Sequence, residues 1–343
     1  MVKKIRPKHK TDAGEVLTDK ELAKLERRIS KVYREASEEI QKTMDSFVKQ
    51  FAEEDDVWRE MVKKNKRTQE EYQKWVDEKF REYGFYKDQR ASIANTLYNS
   101  NQAAANLVNQ ALPDVFQINA NYTAYELEHG AGVNFGFNLY NSNTVKKILA
   151  EDARILPSKK IKKGKDIRWN FKNIKNEVAK GIIKGDSVDD IAKRLAKEMP
   201  ERNEALLQTH ARTMVNSAQN QGRLQRMYEA RKMGLNVQKR WMAALDTKTR
   251  YTHALLDCVT KELEEPFEIE GYKIMEPGDP TAHPSLVYNC RCRLSTHLVD
   301  YPAKFTERRD LETGELIENM TYSEWYTAKT GKTLQSKKGG KKK

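Results

Sequence analysis

Residues 201–245 read ERNEALLQTHARTMVNSAQNQGRLQRMYEARKMGLNVQKRWMAAL, and within them the pattern changes from helix to strand. Leu206, Leu207, Met214, Leu224 and Tyr228 recur at helical spacing, which predicts a helix from about Glu201 to Met233. Gly234 stands just past its end, where a left-handed residue closes the last turn. From Val237 to Leu245 the period shortens and a strand is predicted. Phe267–Met275 reads as a second strand region folded at Glu270–Gly271, and Cys290–Leu298 as a third strand. Just upstream, Ser187 is placed to cap a short amphipathic helix (Val188, Ile191, Leu195, Met199) closed by Pro200. This half of the chain predicts a small α+β module with a short antiparallel sheet.

The other half reads as helix. Leu25, Ile29, Val32, Ala36, Ile40, Met44, Phe47 and Phe51 fall three and four apart on one stripe, and Thr18 with Glu21 forms a capping-box signal. The pattern resumes at Val57, Met61 and Val62, continues through Tyr72, Trp75, Val76 and Phe80, and stops at Gly84. Such a stripe needs a partner, either another helix of this chain or a second subunit. Residues 90–112 form a further helical pattern ending before Pro113, with Asn and Gln dense from Asn95 to Asn121; a polar helix face or an inter-subunit surface would each account for them. Residues 130–143 read as loop or short strand, and Ser158–Lys165, flanked by Pro157 and containing Gly164, as a turn or hairpin tip. The division that follows is a basic flexible tail (1–17), a helical region (18–180), an α+β module (181–300) and an irregular C-terminal segment with a basic tail (301–343).

Length and charge narrow the function classes. The 343 residues carry 63 Lys+Arg against 50 Asp+Glu, a formal charge of +13 that raises nucleic acid as a partner. The surplus is concentrated in three places: Lys3 to Lys10, the 146–165 block, and the end of the chain. Lys159, Lys160, Lys162, Lys163 and Lys165, together with Lys337, Lys338, Lys341, Lys342 and Lys343, are therefore the candidate phosphate contacts; the bland reading of both groups is solvated loop and solubilising tail. No run approaches the ~18 apolar residues of a membrane span, and no secretory signal is readable. Three cysteines cannot make a disulfide framework, so a reducing compartment fits.

Polar chemistry is densest at 241–297, with Trp241, Asp246, Arg250, His253, Asp257, Cys258, Pro277-Gly278-Asp279, His283 and Asn289-Cys290-Arg291-Cys292. Asp246-x-x-Thr249 is a turn signal, and Arg250, His253 and Asp257 would share one face of a helix. Two readings stand for the cysteines. Cys258, Cys290 and Cys292 with His253 or His283 supply donors for a structural zinc. As alternating residues of a strand, Cys290 and Cys292 would simply face the core. His253, Asp257 and Cys258 could in principle supply a base, its orienting carboxylate and a nucleophile, but no complete catalytic set is visible, and a non-enzymatic role is expected over a metal-assisted hydrolase or nuclease.

Taken in order, Ala211-Arg212-Thr213, Asn216-Ser217-Ala218-Gln219-Asn220-Gln221-Gly222-Arg223, Lys239-Arg240-Trp241, Asp246-x-x-Thr249-Arg250-x-x-His253-x-x-Leu256-Asp257, Pro277-Gly278-Asp279 and Asn289-Cys290-Arg291-Cys292 resemble the phage Mu protein F-like head morphogenesis family, the minor capsid or minor head proteins. The resemblance covers about 181–297. It singles out Arg212, Asn220, Arg223, Trp241, Asp246, Arg250, His253, Asp257, Pro277, Gly278, Asp279, Asn289 and Arg291, and departs at Cys258, where glycine is expected. It implies a low-copy virion component of the inner head and portal region, present in host cytoplasm during assembly. The partners implied are the portal protein, the major capsid or scaffold protein, and double-stranded DNA held without sequence preference. Docking or self-association through the N-terminal helices, procapsid assembly and help in genome ejection are further implications.

Overall fold

The computed structural model describes residues 12–131, 136–151, 159–300, 307–310, 313–318, 320–331 and 333. It is predominantly helical, with small antiparallel sheets in its C-terminal part. The first long helices are α1 (Ala13–Val48), α2 (Ala52–Lys63) and α3 (Gln69–Glu82). A π-helical turn (Phe85–Gln89) leads into α4 (Arg90–Ala131), followed by α5 (Ser142–Glu151), α6 (Lys163–Lys184) and α7 (Val188–Lys232). The chain forms two compact units that are interleaved along the sequence: residues 25–109 with 158–208, and 1–24 with 110–157 and 209–343. The cuts fall within α1, α4 and α7, and position 180 lies inside α6.

The unit made of 25–109 and 158–208 has one aromatic-rich core. Phe47, Phe51, Trp75, Phe80 and Phe85 contact one another at centroid distances of 4.7–6.2 Å, many edge to face. Ile174 and Val178 of α6 and Val188, Ile191, Leu195 and Met199 of α7 close it. The stripe of α1 thus finds partners inside its own unit. One position differs from the sequence reading: Tyr33, not Val32, is buried, because its hydroxyl donates to Asn101 Oδ1. Thr68 makes the capping box that starts α3, with Glu71 returning the bond. Thr18 does not cap α1; it lies one turn in and its hydroxyl donates to Gly14 O, while Asp12 accepts from Glu15 N–H at 2.9 Å.

Both prolines placed at helix ends lie inside helices. α4 runs through Pro113 and α7 through Pro200. An interior proline costs about 3 kcal/mol, and a buried large apolar side chain returns about 1.5–3 kcal/mol. Leu112, Val115 and Phe116 flank Pro113, and Leu195 and Met199 precede Pro200, so burial on one face carries the helix across. Of the dense asparagines of α4, Asn95, Asn99 and Asn106 are exposed and others turn inward. Asn101 is buried and donates to Asp166 and Asn203, and Asn119 is buried with Thr18.

In the other unit α7 ends as expected: Gly234 has φ +91° and Leu235 N–H donates to Ala230 O at 3.1 Å. Then follow β1 (Val237–Met242), α8 (Tyr251–Leu255), β2 (Thr260–Lys261), β3 (Phe267–Ile269) and β4 (Tyr272–Ile274). A short α9 (Pro284–Val287) precedes β5 (Arg293–Leu298). The sheet order is β2-β1-β5, antiparallel, with Trp241 opposite Leu294; β3 and β4 form a hairpin at Glu270–Gly271, both with positive φ. Cys290 and Cys292 precede β5 rather than lying in it. The C-terminal segment is not wholly irregular: β6 (Glu307–Arg309) pairs with β7 (Leu316–Glu318), and α10 (Tyr322–Thr330) buries Tyr322 and Trp325 in the module core. A Thr321–Glu324 capping box, present in the sequence, starts that helix. Among the described residues, no helix is long and apolar enough to cross a membrane.

Candidate functional site

The residues that the sequence singles out converge on the junction of α7 with the small sheet. Asn220, in the C-terminal third of α7, is fully buried. Its Nδ2 lies 2.9 Å from Pro277 O and 3.3 Å from Cys292 O, and its Oδ1 accepts from Leu294 N–H at 2.7 Å. One side chain therefore ties a helix to the Pro-Gly-Asp loop and to the entry of β5. Gly278 sits there at φ +84°, where an added Cβ would stand 3.0 Å from Ser217 backbone atoms. Asp279 shapes the same loop, accepting from Thr281 and Met275 N–H. Gly222 allows a second close approach, since a Cβ would reach 2.5 Å from Phe116 O.

One turn further, Arg223 is completely buried. Its guanidinium donates to Asn119 Oδ1 (3.0 Å), Leu294 O (3.1 Å) and Asp12 (2.9 Å). Arg293 reaches the same Asp12 at 3.1 Å. Burial raises the Asp12 carboxyl pKa, but Arg223 and Arg293 outweigh it and hold it below its usual value. Burial, with the Asp12 charge adding to it, pushes Glu126 up to about 7. Arg226, not singled out from the sequence, is equally buried and lies 3.9 Å from the Tyr140 ring centre, donating to Glu229 and to Asn138 O. Lys239, quoted with Arg240 and Trp241 in the resemblance but not singled out as a site residue, is also buried. Its Nζ donates to Leu263 O and Met275 O, and burial lowers its pKa to about 8.

The proposed helical face of Arg250, His253 and Asp257 does not form. α8 has five residues, Arg250 is its N-cap, and Asp257 lies beyond its end. Asp257 accepts instead from Ala243 N–H and Tyr322 N–H, both at 2.7 Å, so it fastens the end of β1 and the start of α10. Asp246 makes the predicted turn, accepting from Lys248 N–H, and takes a bidentate pair of bonds from Arg291 at 2.8 and 2.9 Å. Arg250 donates to Tyr288 O, and Asn289 adopts φ +54° before the cysteines. Arg212 is exposed.

His253, Cys290 and Cys292 meet in the core. His253 Nδ1 is 3.5 Å from each sulfur, and all three side chains are 2–3% exposed. Trp241 packs on the imidazole edge to face at 5.3 Å. The hydrogen bond between the thiols lowers the Cys290 pKa, and the same bond together with burial drives Cys292 well above its usual value. His283 does not join them: it is exposed, bonded to Ser285 and set against Tyr272. Cys258 is half-buried, its sulfur 3.7 Å from Asp257 Oδ2.

Of the candidate phosphate contacts, Lys160, Lys162, Lys163 and Lys165 are exposed at the start of α6, which begins at Lys163 rather than continuing the expected turn. Arg168, Lys172 and Lys175 extend the same exposed run. Lys159 is half-buried beside Asp166, and burial lowers its pKa. Lys337, Lys338, Lys341, Lys342 and Lys343 lie outside the described residues.

Residues 172–295, from α6 into β5, match the family model described as Phage Mu protein F like protein. This stretch is similar to the phage Mu protein F-like family. The Mu F-like module takes in Asn220, Arg223, the Pro-Gly-Asp loop and the Cys-Arg-Cys segment. Over 225 residues the chain is 29% identical to the Minor head protein GP7 of Bacillus phage SPP1, covering 64% of this chain and 70% of that protein. Over 203 residues it is also 29% identical to NAD(+)--arginine ADP-ribosyltransferase EFV of Enterococcus faecalis, covering 59% of this chain and 40% of that protein. The chain thus spans two-fifths of the Enterococcus relative. No solved structure matches it.

Proposed function

We propose that this protein is a phage minor head protein, a low-copy structural component of the inner head near the portal that supports procapsid assembly, contacts packaged DNA and aids its ejection. The likeness to the SPP1 minor head protein along 70% of that protein carries this reading. The exposed cations of α6 support the DNA part. Lys160, Lys162, Lys163, Lys165, Arg168, Lys172 and Lys175 are exposed, while Asp166 among them turns inward to Asn101 and Asn170. Such a face holds phosphates without reading bases. Docking to portal, major capsid or scaffold protein is part of the same proposal.

A structural role also suits the module. The carboxylate that would orient His253 as a base is committed elsewhere: Asp257 accepts from two backbone amides, Ala243 N–H and Tyr322 N–H. The ADP-ribosyltransferase name belongs to a relative of which this chain covers two-fifths, and it carries no second reading here.

The test is twofold. Phage particles lacking this chain should show defective heads or reduced DNA delivery, and the protein should copurify with portal and full particles; normal particles without it would sink the proposal. For DNA, binding to a random duplex is measured across salt concentrations. Each phosphate that a cation neutralises adds about 0.9 to the log–log salt slope. Replacing Lys160, Lys162, Lys163 and Lys165 by Ala together should flatten the slope by up to about 3–4 in a chain ending at Gln335. An unchanged slope would remove α6 as the DNA face.

A further inference from the structure

The His253–Cys290–Cys292 group has a geometry that hydrogen bonding alone does not use fully. A neutral imidazole has one lone pair, so Nδ1 can accept from one thiol at a time, yet it stands 3.5 Å from both sulfurs. A metal ion would use all three lone pairs at once. With zinc–sulfur distances of about 2.3 Å and a zinc–nitrogen distance of about 2.0–2.1 Å, tetrahedral angles put the nitrogen about 3.5 Å from each sulfur. The observed separations are the edges of that tetrahedron. The donor atoms of all three residues lie within 4.8 Å of one another, and the group is the one of its kind among the described residues.

Local backbone also converges on one point. In a strand, residues two apart hold their side chains side by side; here Cys290 and Cys292 lie in an irregular turn, entered through Asn289 at φ +54°. Cys290 N–H donates to Val287 O, fixing that turn, and α8 presents His253 from the opposite side. Two thiolates would cancel the charge of a divalent ion, so the buried centre would be neutral and tolerable in an apolar core.

We propose that His253 Nδ1, Cys290 Sγ and Cys292 Sγ bind one zinc ion, filling three positions of a tetrahedral site. On binding, the two thiols release their protons to solvent and the sulfurs bond to the metal as thiolates. The ion then pins α8 to the turn that feeds β5, the loop that Asn220 grips from the other side. His283 and Cys258, the other donor-type residues nearby in sequence, take no part.

The experiment uses the full chain, without a histidine tag, purified under reducing conditions. Elemental analysis should find close to one zinc per chain, and X-ray absorption should show two sulfur donors and a nitrogen donor. Cobalt(II) added to the metal-stripped wild-type protein should give thiolate-to-metal charge transfer in the near ultraviolet and intense tetrahedral bands in the visible, a readout that needs no variant. Cys290→Ser and Cys292→Ser should weaken metal binding at least tenfold, whereas Cys258→Ser and His283→Ala should keep it. A chain without zinc that gives no tetrahedral cobalt spectrum overturns the proposal. So does zinc that persists in the Cys290→Ser/Cys292→Ser double variant, or a Cys290–Cys292 disulfide in the protein isolated without reductant.

Discussion

Around Phe47 and Phe80, the unit of residues 25–109 and 158–208 is packed ring against ring, while around Asn220 and Arg223 the other unit is held by single polar side chains that each reach several strands, loops or helices. The first kind of packing is redundant. Phe80 touches Phe47, Phe85 and Tyr86, and Phe47 and Phe85 also pack on each other without it. The second is not. Arg223 bonds Asn119 Oδ1, Leu294 O and Asp12 at once, so its removal takes a donor from three buried groups together. A region built on apolar area degrades in steps, whereas a region built on buried polar hubs fails at one residue.

The largest expected effect tests that contrast directly. Arg223→Met keeps volume and apolar stem but strips the buried Asp12 charge of its main partner, and should cost about 3–5 kcal/mol in urea unfolding. A cost below about 1 kcal/mol, the scale of an ordinary surface ion pair, would mean that the hub is dispensable. Phe80→Leu, an equally modest change on paper, should cost about 1.5 kcal/mol or less because neighbouring rings can settle around it. If it proves the costlier of the two, the contrast is reversed. The smallest effect is one of pH. Glu126 has its pKa raised from 4.5 to about 7, so the folded state holds its proton more tightly than the unfolded chain. The stability this contributes is complete below about pH 4.5 and is lost as pH rises through about 7. Glu126→Gln should therefore flatten the stability profile across that window; an unaltered profile would show that the buried charge group titrates elsewhere.

Periodicity makes the helical half legible, because apolar residues three and four apart can be buried together only on one helix face. The misreadings there are local. Val32 and Tyr33 are adjacent, and the choice between them depends on Asn101, 68 residues away. Pro113 and Pro200 are ordinarily helix ends, and only buried neighbours keep the helix running. The module is legible in its motif residues but not in their contacts. Asp257 stands four residues after His253, which suggests a pair, yet it turns to amides of Ala243 and Tyr322. The C-terminal helix escapes the sequence reading although Thr321 and Glu324 announce it, because the surrounding charge masks a nine-residue pattern.

The sequence by itself determined the class of the fold, the position of the Mu F-like module and the clustering of basic charge, since each depends on residue type and spacing along the chain. Only the tertiary structure decided which polar residues are internal struts and which cations face solvent. It also decided that His253 meets Cys290 and Cys292 while His283 does not. Those outcomes depend on distances between segments far apart in sequence, set by how α7, α8 and β5 pack, and no local spacing encodes them.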